Sequence, residues 1–141
     1  MFPMWRLLLL CAAGILIAPT IYASADTPAI TQVLVAFHSL SGNTERMAEA
    51  VAEGVRMVPH TKVVVRRVGS VTAEDLFAAD AIVLGSPVYW SNMAGEVKAF
   101  IDDWQFKFGV FPEFKLKNKV GAAFATGGQI SSGKELTMLS I

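Results

Sequence analysis

The chain has 141 residues, enough for one domain and too few for two. Hydrophobic residues make up 53% and charged residues 17%, which excludes a chain that is disordered throughout. Lys plus Arg and Asp plus Glu number 12 each, and no basic helix stands out, so nothing in the charge points to nucleic acid.

The N-terminus reads as a targeting segment. A single charge at Arg6 precedes an apolar run from Leu7 to Ala18, a Pro break, and the small residues Ala23, Ser24 and Ala25. This is the anatomy of a secretory signal peptide, with residues 1–25 expected to be removed after Ala25 and residues 26–141 forming one domain. The expected location is outside the cytoplasm, the periplasm if the source is a Gram-negative bacterium. The run is shorter than the roughly 20 residues of a spanning helix, so no stable span remains after cleavage. An uncleaved membrane anchor is the alternative. Cys11, the only cysteine, lies within the run after Leu10, so the mature chain would offer no disulfide, cysteine ligand or thiol chemistry.

Past this segment, apolar runs and helical patterns alternate. Val33–Phe37 is continuously apolar, as in a strand buried on both faces. Met47, Ala48, Val51, Ala52 and Val55 recur at helical spacing, and Pro59 stops that helix. Thr61–Val68 is β-branched and reads as a second strand. Thr72 caps a short helix with an acidic first turn, and Ala81–Gly85 is a third strand. Val97, Phe100, Ile101 and Trp104 mark another helix. Core packing is the expectation for Phe106, Phe108, Phe111 and Phe114, with a partner surface as the alternative, and a solvent-facing pattern is expected for Lys115, Lys117 and Lys119. Val120–Thr126 is a fourth strand, and Lys134 opens a further helix.

Buried strands alternating with helices predict an α/β fold, a doubly wound parallel sheet in a three-layer sandwich. The chain ends at Ile141, about two turns into an amphipathic helix. The expectation is therefore a C-terminally truncated domain lacking a fifth strand, with the fourth strand an exposed apolar edge.

Ligands of such sheets bind outside the carboxyl ends of the strands, and three unusual loops fall there. The first is Ser39, Leu40, Ser41, Gly42, Asn43 and Thr44. Three hydroxyls surround a glycine at a helix start, where free N–H groups and the helix dipole favour an anion. The absence of Gly-Lys-Ser/Thr and of G-x-G-x-x-G excludes a nucleoside-triphosphate loop and a dinucleotide fingerprint, and a site of neutral donors suits a terminal monophosphate. A plain helix cap by Ser41 or Thr44 is the alternative. The second loop carries Pro87, Val88, Tyr89, Trp90, Ser91, Asn92 and Met93; its paired aromatics suit stacking on a flat ring. The third, with Thr126, Gly127, Gly128, Gln129 and Gly133, is a polar, flexible rim. His38 and His60 lie in unrelated settings and do not suit metal ligation, and no metal cluster, triad or paired carboxylate is evident.

Together the three stretches resemble the flavodoxin-like superfamily, and most of all FMN-dependent NAD(P)H:quinone oxidoreductases of the tryptophan-repressor-binding-protein type. Ser39–Thr44 resembles that family's FMN-phosphate loop. "GSPVYWSNMAGEVKAFID" resembles its isoalloxazine loop, with Pro87 to Met93 on the ring-contacting positions, and Thr126 to Gly133 resembles the third flavin loop. The resemblance implies strand order 2-1-3-4, FMN as cofactor, NAD(P)H as a reductant, a quinone-like acceptor and a homo-oligomer. Under export, where NAD(P)H is scarce, a protein or quinol donor takes its place. An electron carrier like the small flavodoxins is the rival reading, and a non-catalytic fragment is a third.

Overall fold

The computed structural model describes residues 29–130 and 132–141, so the predicted signal peptide lies outside the described residues. Four parallel strands form the sheet: β1 (Thr31–Phe37), β2 (Thr61–Arg67), β3 (Ala81–Tyr89) and β5 (Val120–Thr126). Their spatial order is β2-β1-β3-β5, the predicted arrangement of second, first, third and fourth long strands. A two-residue strand, β4 (Asn92–Met93), folds back antiparallel on the end of β3.

Helix α1 (Asn43–Arg56) covers one face of the sheet. Its inward residues Ala48, Val51 and Val55 meet Val33, Val35, Phe37 and Phe124. Met47, at the margin of the predicted stripe, is partly exposed. Helices α2 (Ala73–Ala78) and α3 (Gly95–Phe106) cover the other face, where Leu76, Val97 and Phe100 pack on Leu34, Ala36, Ile82 and Leu84. Ile141, at the end of α4 (Lys134–Ser140), joins that second core. Alternate residues of β1 therefore serve opposite cores, which is why its sequence is apolar without interruption. Thr72 caps α2 as predicted: its hydroxyl accepts from the Asp75 N–H, and the Asp75 carboxylate accepts from the Thr72 N–H.

The aromatic linker departs from the expected core packing. Only Phe108 joins the core; Phe106, Phe111 and Phe114 are exposed, and the last two stack edge to face. Lys119 departs from the solvent-facing pattern, since its ammonium donates to the Phe77 and Ala79 carbonyls at the end of α2. β5 is the far edge of the described sheet. It exposes Val120 and borders an apolar groove of about 380 Å³ between Trp104, Leu116, Met138 and Ile141.

Candidate functional site

Strand register brings the three loops together. Phe37 of β1 pairs with Gly85 of β3, and Gly85 with Phe124 of β5, so the following loops leave one edge side by side. Gly85 is required by packing, because a Cβ there would lie 2.1 Å from the Phe124 ring.

The first loop is not a plain helix cap. Gly42 is the N-cap of α1 in the left-handed region, at φ 83°, and no side chain caps the helix. Ser39, buried, accepts the Gly42 N–H through Oγ at 3.1 Å, which holds the turn. Ser41 accepts from the Asn43 amide at 3.2 Å, and both are exposed with Leu40 at the rim. Thr44 is buried, and its hydroxyl meets that of Thr126 at 2.8 Å, tying the first loop to the third. The first turn of α1 thus opens onto the sheet edge with three hydroxyl residues around it and no side-chain acceptor on its N–H groups.

The second loop is a hairpin rather than an irregular loop. Tyr89 pairs with Asn92 and Val88 with Met93, leaving Trp90 and Ser91 as a two-residue turn. Both have positive φ, 52° and 61°, the requirement of a type I′ turn usually met by Asn and Gly. Trp90 projects fully into solvent and Tyr89 is partly exposed, its ring edge-on to His38 at 6.4 Å. Met93 packs against the α3-side core. Ser86, which the sequence reading left out of the site, shapes the hairpin base: its buried hydroxyl accepts from the Ala94 N–H and donates to the Pro87 carbonyl. A hydroxyl ending a buried strand is the signal that could have found it.

The third loop closes on the other two. A Cβ on Gly127 would fall 2.6 Å from Ser132 Oγ, and one on Gly133 2.6 Å from Ser91 Cα, so both glycines allow close approach. Gly128 and Gln129 are exposed, and the Gln129 carbonyl accepts from Lys134 Nζ at 2.6 Å. Ser132 Oγ is buried with no hydrogen-bond partner among the described residues.

Charged groups flank the site. Arg67, at the end of β2, donates to the Ser39 carbonyl at 2.7 Å and pairs with Glu45 at 2.5 Å. His38 Nε2 lies 3.6 Å from Glu96. Among the described residues no group of His, Cys, Asp and Glu is placed to hold a metal ion, and no helix is long and apolar enough to cross a membrane.

Residues 67–140 match the NADPH-dependent FMN reductase family. An NAD(P)H dehydrogenase (quinone) of Geobacter metallireducens is 35% identical, over 77% of this chain and 64% of the relative. A flavodoxin of Clostridium saccharobutylicum is 31% identical, over 78% and 64%. This chain thus spans less than two thirds of the length of these curated relatives. Among solved structures, a flavodoxin, WrbA-like protein from Agrobacterium tumefaciens superposes with TM-score 0.67 at 28% identity, covering 78% of this chain and 68% of that one. An archaeal flavodoxin gives 0.57 at 25%, covering 75% and 69%. The fold is flavodoxin-like, and the cofactor that goes with it is FMN. The chain belongs to the NADPH-dependent FMN reductase family.

Proposed function

We propose that this chain is an FMN-dependent oxidoreductase that passes electrons from NAD(P)H, or another donor, through bound FMN to a quinone-like acceptor. The observation that carries this reading is the convergence of three loops on an uncapped helix start, joined by the Thr44–Thr126 hydroxyl contact. The residues fit FMN on two counts: α1 has no side-chain cap despite the hydroxyls around it, and Ser132 Oγ, in the third loop, is buried without a partner among the described residues. Ser39, Leu40, Ser41, Gly42, Asn43 and Thr44 are the proposed phosphate cradle. Pro87, Val88, Tyr89, Trp90, Ser91, Asn92 and Met93 are proposed to border the flat ring, and Thr126, Gly127, Gly128, Gln129 and Gly133 to close its rim. FMN, when bound, would supply the hydride- or electron-transfer chemistry. The protein's part is to bind the phosphate, orient the ring and keep one side accessible.

A quinone acceptor is supported by the relatives named NAD(P)H dehydrogenase (quinone). Relatives named flavodoxin favour a second reading, an electron carrier without turnover of its own. Carriers are usually strongly acidic around the flavin, whereas this chain has no net charge, and the enzyme is the better reading. Export through the N-terminal 25 residues, to the periplasm in a Gram-negative cell, rests on the sequence pattern alone, as does the alternative of an anchored N-terminus. Assembly as a homo-oligomer is likewise part of the proposal, and gel filtration tests it.

The deciding experiment loads the full chain with FMN and follows NADH oxidation with a benzoquinone. Sustained turnover supports the enzyme. Flavin binding without turnover, with electrons exchanged only with a redox protein, establishes the carrier instead.

A further inference from the structure

Arg67 is half-exposed at the end of an edge strand, where a cation ordinarily needs no partner. Here it has three. Its guanidinium lies over the Phe37 ring, 5.5 Å from the centroid; Nη1 donates to the Ser39 carbonyl at 2.7 Å; and Nη2 pairs with Glu45 at 2.5 Å. The planar fork of Arg suits two acceptors held at a fixed angle, which the point charge of Lys cannot match.

Both acceptors belong to the turn that starts α1. Ser39 accepts the Gly42 N–H through Oγ, so fixing the Ser39 carbonyl also fixes the residue that holds Gly42 in its left-handed conformation. Glu45 is the acidic residue of the helix's first turn. A carboxylate there competes with any anion for the helix's positive end. Pairing with Arg67 offsets that charge.

From this we infer that Arg67 is a positioning residue for phosphate recognition: it holds the Ser39 turn in shape and neutralises Glu45 at the mouth of the cradle. The inference rests on the proposed assignment of Ser39–Thr44 to the phosphate. It differs from it in naming a residue of β2, outside all three loops, that acts through Ser39 and Glu45.

Comparing FMN with riboflavin, which has the same ring and no phosphate, isolates the effect. Each is titrated into the full chain, and binding is read by quenching of flavin fluorescence. Wild type is expected to prefer FMN. Arg67→Met is expected to weaken FMN about tenfold while leaving riboflavin within about twofold, as loss of a charge-assisted contact implies. Arg67→Lys, the gentler change, is expected to lose about threefold for FMN alone, because an ammonium replaces only part of the fork. Adding Glu45→Gln to Arg67→Met removes the released carboxylate and is expected to restore part of the FMN affinity. If wild type shows no preference for FMN, the cradle assignment falls and this inference with it. If wild type prefers FMN and the ratio of affinities is unchanged in Arg67→Lys and Arg67→Met, Arg67 has no such role and the cradle stands. A parallel loss of both flavins overturns the inference as well, since it marks general loosening of the fold.

Discussion

The hydroxyls of Thr44 and Thr126 meet at 2.8 Å across 82 residues of sequence, joining the start of α1 to the end of β5. Thr44 is buried and Thr126 only partly so, which makes the two halves of the contact unequal. Thr126→Val strands a buried hydroxyl and is expected to cost about 1–2 kcal/mol. Thr44→Val leaves its partner able to turn toward water and should cost less than about 1 kcal/mol. The double valine variant, with no stranded group, should recover most of the loss. Urea unfolding of the four proteins measures the coupling. Strictly additive costs would mean that the contact contributes nothing.

Gly85 and Phe124 make a second cross-strand dependence. The ring fills the space a side chain at position 85 would need, with three ring atoms within 2.7 Å of the Cβ position. Gly85→Ala therefore has to displace Phe124 from the α1-side core and should destabilise by about 1–3 kcal/mol. Gly121→Ala in β5 meets nothing within 4 Å and should stay within about 0.5 kcal/mol of wild type. Phe124→Leu added to Gly85→Ala should regain part of the loss. Thermal unfolding reads all three, and equal stability of the two alanine variants would refute the packing account.

These dependences also show where the sequence was legible. Val33–Phe37 read as a buried strand because residues facing opposite cores alternate along it; Val120–Thr126 read as a strand from its apolar run although only Phe124 is buried, and the register of the strands puts the three loops at one edge. The β4 hairpin was not legible, since Trp90-Ser91 carries neither the Asn nor the Gly that announces a type I′ turn. Arg67 and Lys119 were missed for a related reason. A cation at a strand end looks solvated in one dimension, and only the tertiary fold brings the Ser39, Phe77 and Ala79 carbonyls to them. The exposed Phe106, Phe111 and Phe114 misled because aromatic character suggests burial while the linker has no periodicity to say which ring turns inward.

The hairpin tip exchanges stability for presentation. Trp90 and Ser91 both take up positive φ, at a cost of order 1 kcal/mol or more each, and the indole is left in solvent where it contributes nothing to the core. Replacing Trp90→Asn and Ser91→Gly together gives the turn its preferred residues. The urea midpoint of the flavin-free protein should rise. FMN affinity should fall by about 1 kcal/mol or more, the scale of an aromatic stacking contact, with a matching loss of fluorescence quenching. A stabilised variant that binds FMN as tightly as wild type would show that Trp90 does not touch the ring.

Asp75 sets a pH limit on α2. Burial pushes its carboxyl upward, but hydrogen bonds from the Thr72 N–H and hydroxyl, with the Arg66 guanidinium 3.5 Å away, more than offset this and hold it below the usual carboxylate range. A group with a depressed native pKa stabilises the fold above its unfolded value, near 4, and that contribution disappears as pH falls through the lower native value. Wild type should therefore lose part of its stability below about pH 4 through this group. Asp75→Asn should be less stable at pH 7 by about 1 kcal/mol, the usual worth of a cap, and should lose less on acidification. Thr72→Ala breaks the same box and should show both effects. Urea midpoints at pH 7 and at pH 3.5 provide the check: curves that stay parallel for wild type and Asp75→Asn would mean that the carboxylate's charge has no part in holding the start of α2.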